Sequence, residues 1–162
     1  MNIEEAKKVL SYDPTTGLFT WLETRGRRVR GARAGSYTKN GYLEIGILGT
    51  KWLCHRLAFL YMEEVPPVTI DHVNGQRDDN RWVNLREATD YQNAQNSKKA
   101  TNNTSGYKWA SVIRSKGKVF YRYSMLVNGV RYEKCGFPSL LAAHLEAAKL
   151  HKKLCGEFTR SK

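Results

Sequence analysis

Asp71 and His72 stand side by side at the end of a short β-branched run, Val68-Thr69-Ile70, and lead into a segment dense in Asp and Asn. Asn84 lies twelve residues after His72 and Asn93 twenty-one after it. An imidazole with an ordinary pKa of about 6.5 can take a proton from water near neutral pH. The Asp71 carboxylate and the Asn93 amide offer hard oxygens, which suit Mg²⁺ or Mn²⁺ bound by few protein ligands plus water and phosphate oxygens. Local elements can bring these residues together. Val68 to Ile70 reads as a strand that Gly75 breaks, and Leu85 to Ala88 can form a second. Thr89-Asp90-Tyr91-Gln92 fits a capping box, with Thr89 as N-cap of a helix carrying Asn93.

The series Asp71-His72-x-Asn74-Gly75, Asn80-Arg81, Asn84-Leu85 and Asn93 resembles the HNH endonucleases in their His-Asn-Asn form, with the spacing of phage and intron-encoded members. The resemblance implies an active site of two strands and a helix around one divalent metal. His72 would be the general base, Asn84 would hold its imidazole, and Asp71 and Asn93 would hold the metal. The metal would act as a Lewis acid on the scissile phosphate. A second histidine is common at the family's third position; Asn93 stands there instead, which favours Mg²⁺ or Mn²⁺ over Zn²⁺. Asn80 reads as a loop brace, while Asn74 and Asn96 remain unassigned.

The charge of +12 over 162 residues attracts nucleic acid most readily, although a basic structural protein would share it. Cys54, Cys135 and Cys155 are odd in number and widely spaced, so neither a disulfide framework nor a structural zinc site is expected. No apolar run is long enough for a membrane span, and no signal-peptide core opens the chain, so a cytoplasmic location in a bacterial host is expected.

Ahead of the site, a helix is expected from Ile3 to about Ser11, a turn at Tyr12 to Gly17, and a strand at Leu18 to Trp21. Arg25, Arg27, Arg28, Arg30 and Arg33 sit among small residues that cannot build a core. We expect a mobile arm there that contacts phosphate. Strands are expected at Gly41 to Leu48 and Lys51 to Cys54, and a helix at His55 to Met62, stopped by Pro66 and Pro67. This lead-in is similar to the segment before the motif in many phage HNH proteins. His55 is left outside the catalytic set.

Lys98 to Ser105 is polar and aperiodic, and reads as a linker. Beyond it, Gly106 to Ile113, Val119 to Val127 and Val130 to Phe137 read as strands, the last two joined by an Asn128-Gly129 hairpin turn. Pro138-Ser139 opens a helix over Leu140 to Leu154, stopped by Gly156, with Leu141, Leu145, Ala148, Leu150 and Leu154 as its sheet-facing stripe. With the entry Thr104-Ser105-Gly106-Tyr107-Lys108-Trp109, this arrangement resembles the AP2-like DNA-binding domain. The resemblance implies that Arg and Lys on the outer sheet face contact DNA. Lys108, Arg114, Lys116, Lys118 and Arg122 are the candidates, with Arg122 facing away from Tyr121 and Tyr123.

The expected fold is α+β: a ββα-metal core followed by a three-stranded antiparallel sheet on one helix. The expected domains are 1–98 (catalytic core 68–98), a linker at 99–105, and 106–162. The expected function is cleavage of double-stranded DNA with Mg²⁺ or Mn²⁺, leaving 5′-phosphate and 3′-hydroxyl ends, by a homing-type or phage-associated monomer or homodimer. The rival is a DNA-binding regulator whose nuclease lobe is inactive.

Overall fold

The computed structural model describes residues 3–63, 65–97 and 100–158. They form two compact units, one ending at Asp90 and the other beginning at Tyr91.

In the first unit, α1 (Ile3–Val9) carries Glu4 and Glu5 in its first turn and Lys7 and Lys8 in its last, matching the helix dipole. It runs straight into β1 (Leu10–Asp13), paired antiparallel with β2 (Leu18–Trp21). The helix therefore stops short of Ser11, and Tyr12 and Asp13, expected in a turn, lie in a strand. Pairing explains the difference: Leu10 sits opposite Trp21, and both are buried. Asp13 folds the turn that follows by accepting hydrogen bonds from Thr15 N (2.9 Å) and Thr16 Oγ1 (2.8 Å).

β3 (Ser36–Tyr37), β4 (Leu43–Ile47) and β5 (Thr50–Leu53) make a three-stranded sheet in that order. Leu43, Ile45 and Ile47 alternate inward. α2 (Cys54–Glu63) buries Leu57, Ala58, Phe59 and Leu60 in the same core as Leu10 and Phe19. β6 (Thr69–His72) pairs antiparallel with β7 (Leu85–Ala88), and their Ile70 and Leu85 join that core. The arginine segment is a tight turn, which corrects the expectation of a mobile arm. Arg25 and Arg28 exchange backbone hydrogen bonds at 3.1 Å, and Gly31 N donates to Trp21 O at 2.8 Å. The Arg28 guanidinium stacks 4.2 Å over Trp21 and donates to Gly46 O at 2.8 Å. Arg25, Arg27 and Arg30 remain exposed.

α3 (Asp90–Gln95) starts directly after Thr89, as the capping box predicts. In the second unit, β8 (Ala110–Ser115), β9 (Lys118–Val127) and β10 (Val130–Phe137) form an antiparallel sheet in the order β10-β9-β8. Asn128 (φ 50°) and Gly129 (φ 76°) both take the left-handed backbone that a two-residue hairpin turn demands. Of the polar stretch read as a linker, Lys98 and Lys99 lie outside the described residues. The remainder, 100–105, lies inside this unit.

α4 (Leu140–Cys155) is capped by Ser139, whose hydroxyl accepts from Ala142 N at 3.1 Å. Its buried stripe is Ala143, Ala147 and His151, with Leu150 and Leu154 partly covered. Leu141 and Leu145, expected in that stripe, are 48% and 52% exposed. The two alanines let the helix approach Tyr123, Met125 and Val127 closely, whereas leucines there would hold it off.

Candidate active site

Asp71 and His72 are the last two residues of β6 and lie opposite Arg86 and Leu85 of β7. Both are buried, at 3% and 5% exposure. The loop that follows is pinned to this strand pair. Gly75 N donates to His72 O at 2.7 Å, and Val73 N donates to Asn84 O at 2.9 Å.

Asn84 is the brace of that loop. Its Oδ1 accepts from Asn74 N at 2.9 Å and its Nδ2 donates to Asp79 O at 2.8 Å. With its amide engaged on the loop backbone at both ends, it shapes the loop. Asn80, expected as the brace, is almost wholly buried, and its side chain favours the protonated form of His72. Asp79 is gripped by Arg81 at 2.6 and 2.8 Å, which lowers its pKa to about 2 and keeps it ionised.

The lead-in segment positions this loop from outside. Tyr12 Oη donates to Asn80 O at 2.8 Å, and Trp82 N donates to Pro14 O at 2.9 Å. A Cβ at Gly17 would stand 2.4 Å from Arg81 N, so only glycine permits the approach. From the small sheet, Tyr37 Oη donates to Asp78 at 3.0 Å, while Arg77 donates to Asn40 O at 2.9 Å and stacks 5.0 Å over Tyr42.

His55, left outside the catalytic set, is at the site. Its ring stands edge-on to His72 at 5.2 Å, and Tyr42 lies 5.2 Å from His55 and 6.0 Å from His72. Burial, then His72 and Arg56, lower its pKa to about 3. Burial is also the main cause that lowers His72, against the opposing effects of Asn80, Asp71 and Asp79, so His72 rests as a neutral base. No pattern in the sequence signals this packing, because His55 is seventeen residues away on α2.

Acid should destabilise the first unit through His55. The unfolded residue protonates below pH 6.5, whereas the folded residue resists until about pH 3. Stability is therefore full above pH 6.5 and falls on acidification through that window, by roughly 1.4 kcal/mol per pH unit for this residue. His55→Phe should flatten that slope in urea unfolding followed at pH 7 and pH 5. An unchanged slope would contradict the buried, neutral state.

Asp71 is held by Arg86, whose Nε and Nη2 lie 2.8 and 2.7 Å from Asp71 Oδ2. No three of His, Cys, Asp and Glu cluster as a cation cage among the described residues. The donor set is one buried carboxylate beside a neutral imidazole, with two buried polar atoms, His55 Nδ1 and Asn80 Oδ1, lacking hydrogen-bond partners among the described residues. Such a set fits a hard cation whose remaining ligands are water and phosphate; it does not fit a tightly caged Zn²⁺. Asn93 is exposed on α3, in the second unit.

The basic candidates of the second unit differ in availability. Lys108 is a structural residue: its Nζ donates to Gln95 O (3.1 Å) and Ser97 O (2.7 Å), capping carbonyls at the end of α3, and sits 4.5 Å over Trp109. Gln95 Oε1 also lies 2.7 Å from Nε2 of His151, whose ring stacks on Trp109. Arg122 pairs with Ser111 and Lys118 with Ser115, which places both on the sheet face away from α4, where Arg131 also lies. Arg114 pairs with Val119 and falls on the opposite face, so the expected trio is divided. Lys116 stands in the β8–β9 turn with φ 48°. Residues 1–90 carry 13 Lys and Arg against 12 Asp and Glu, while residues 91–162 carry 14 against 3. The net charge of +12 is thus divided as +1 and +11.

The site is a strand pair ending in Asp-His, closed by an asparagine-braced polar loop. Residues 53–95 match the family model for HNH endonuclease, a match that supports nuclease activity on DNA. No curated protein and no solved structure matches the chain. No helix among the described residues is long and apolar enough to cross a membrane.

Proposed function

We propose that this chain is a divalent-metal-dependent endonuclease that hydrolyses phosphodiester bonds in double-stranded DNA. The observation that carries the proposal is the buried, adjacent Asp71 and His72 on a braced loop, inside the stretch matching HNH endonuclease. In this mechanism a neutral nitrogen of His72 removes a proton from water. The resulting hydroxide attacks phosphorus in line with the 3′-oxygen, which leaves and takes up a proton from solvent. The products carry a 5′-phosphate and a 3′-hydroxyl. Burial keeps the imidazole neutral, His55 and Tyr42 pack against its ring, and Asn84 keeps the loop in shape. Asp71 would hold a Mg²⁺ or Mn²⁺ ion. The ion would supply Lewis-acid stabilisation of charge on the phosphate and the leaving oxygen.

The second unit, with its +11 charge and AP2-like arrangement, would bind the DNA through phosphate contacts and the outer face of its sheet. A homing-type or phage-associated role agrees with this pairing of a cutting unit and a gripping unit. A regulator with an inactive nuclease lobe is the second reading, favoured by the hold of Arg86 on Asp71. Nicking of supercoiled plasmid with and without Mg²⁺ separates the two. Asp71→Ala should lose nicking with both Mg²⁺ and Mn²⁺, because few other protein ligands would hold the ion. Nicking by the variant at the wild-type rate, or activity with Zn²⁺ and none with Mg²⁺, would contradict the metal assignment.

A further inference from the structure

We propose that Arg86 is an exchangeable counter-ion. It holds Asp71 until a divalent cation takes the carboxylate, and it then grips a phosphate oxygen of bound DNA. The inference rests on the assignment of Asp71 as a metal ligand.

Arg86 is the direct cross-strand partner of Asp71, so the strand register alone brings guanidinium and carboxylate together. Both side chains are largely buried, at 15% and 3% exposure, whereas the pairs Lys7–Glu4, Lys51–Glu44 and Arg81–Asp79 each have at least one partner 40% exposed or more. In so dry a place a carboxylate without a countercharge is strongly disfavoured, and water screens little. Arg86 supplies that countercharge through two nitrogens on the single atom Oδ2.

A divalent cation on the same carboxylate would face a buried guanidinium, so the two cations compete for one group. Phosphate presents oxygens with the geometry that a guanidinium recognises in a carboxylate, which gives a displaced Arg86 a second anion to hold. Arg86 is then a residue of the reaction, and its ion pair also lowers the affinity of the site for metal in the absence of DNA.

The test uses the full chain and Mn²⁺ alone as probe, with free Mn²⁺ counted by its electron paramagnetic resonance signal. Arg86→Gln should bind Mn²⁺ at least about fivefold more tightly than wild type, the lower end of a normal coupling between two ligands of one group. Arg86→Lys, which keeps the charge, should stay close to wild type. Asp71→Asn and the double variant Asp71→Asn/Arg86→Gln should bind weakly and alike. If Arg86→Gln is poorly folded without metal, the rise of its Tm with added Mn²⁺ should still exceed that of wild type. Equal or weaker Mn²⁺ binding by Arg86→Gln, with Asp71→Asn impaired, would overturn the exchange and leave the metal assignment standing. Equal binding by wild type and Asp71→Asn would remove Asp71 as a ligand, and both ideas with it. The phosphate half has its own readout: at saturating Mn²⁺, Arg86→Gln should cut more slowly than wild type, and an equal rate would overturn that half.

Discussion

His72→Ala should reduce plasmid nicking at least about a hundredfold, the usual scale for loss of a general base, while DNA affinity in a binding assay without metal stays close to wild type. The expectation combines two features of the site. His72 is set by β6 next to Asp71, and its burial lowers its pKa, so it is neutral and ready to take a proton at pH 7. The wild-type rate should accordingly fall only on acidification below pH 6.5, as the base becomes protonated, and that limb should be absent from any residual activity of the variant. Because His72 is 5% exposed, its removal leaves a void beside His55 and Tyr42. His72→Gln fills more of that space without a base, and circular dichroism of both variants separates lost chemistry from lost structure. Normal cutting by folded His72→Gln would mean that another group activates water.

The features legible in the sequence were those fixed by local chemistry. α4 follows from Ser139 and Gly156 at its ends, and the hairpin turn that opens β10 from Asn128-Gly129. The place of Asp71 and His72 at the end of a short strand followed from the β-branched run before them. What escaped depends on partners distant in sequence. The pairing of Asp71 with Arg86 requires the strand register, and the packing of His55 and Tyr42 on His72 requires the docking of α2 and the small sheet. Lys108 counts as a free charge in a sequence, yet the end of α3 consumes it. Leu141 and Leu145 looked like core because apolar spacing cannot tell a leucine face from the alanine face that packs more closely.

Replacing Lys118, Arg122 and Arg131 together by Gln should weaken DNA binding at least about a hundredfold at low salt, since each side chain that no longer meets a base edge or a phosphate costs about 1–3 kcal/mol. These three share the face of the sheet turned away from α4, with Arg122 Nε 3.3 Å from Ser111 Oγ and Arg131 Nη1 3.4 Å from Ser124 Oγ. Lys118 is exposed at the start of β9. Each phosphate grip removed should also make the dependence of log affinity on log salt shallower by about 0.9, so the slope should change by up to about three. Arg114→Gln, on the other face of the same sheet, removes one charge of the same type without touching that surface, and should cost far less than a third of the triple change. The triple variant should still nick DNA at low salt and high protein concentration, because Asp71, His72, Asn80 and Asn84 lie in the first unit, outside the altered sheet. Its cuts along a long DNA should lose their preferred positions, since phosphate contacts supply grip and base contacts supply choice. The decisive comparison is binding isotherms for the triple variant and Arg114→Gln at several salt concentrations, beside a cleavage map. Equal losses from the two variants would reduce the role of the second unit to its net charge, whereas a loss confined to the triple variant would identify the sheet face as the surface that meets DNA.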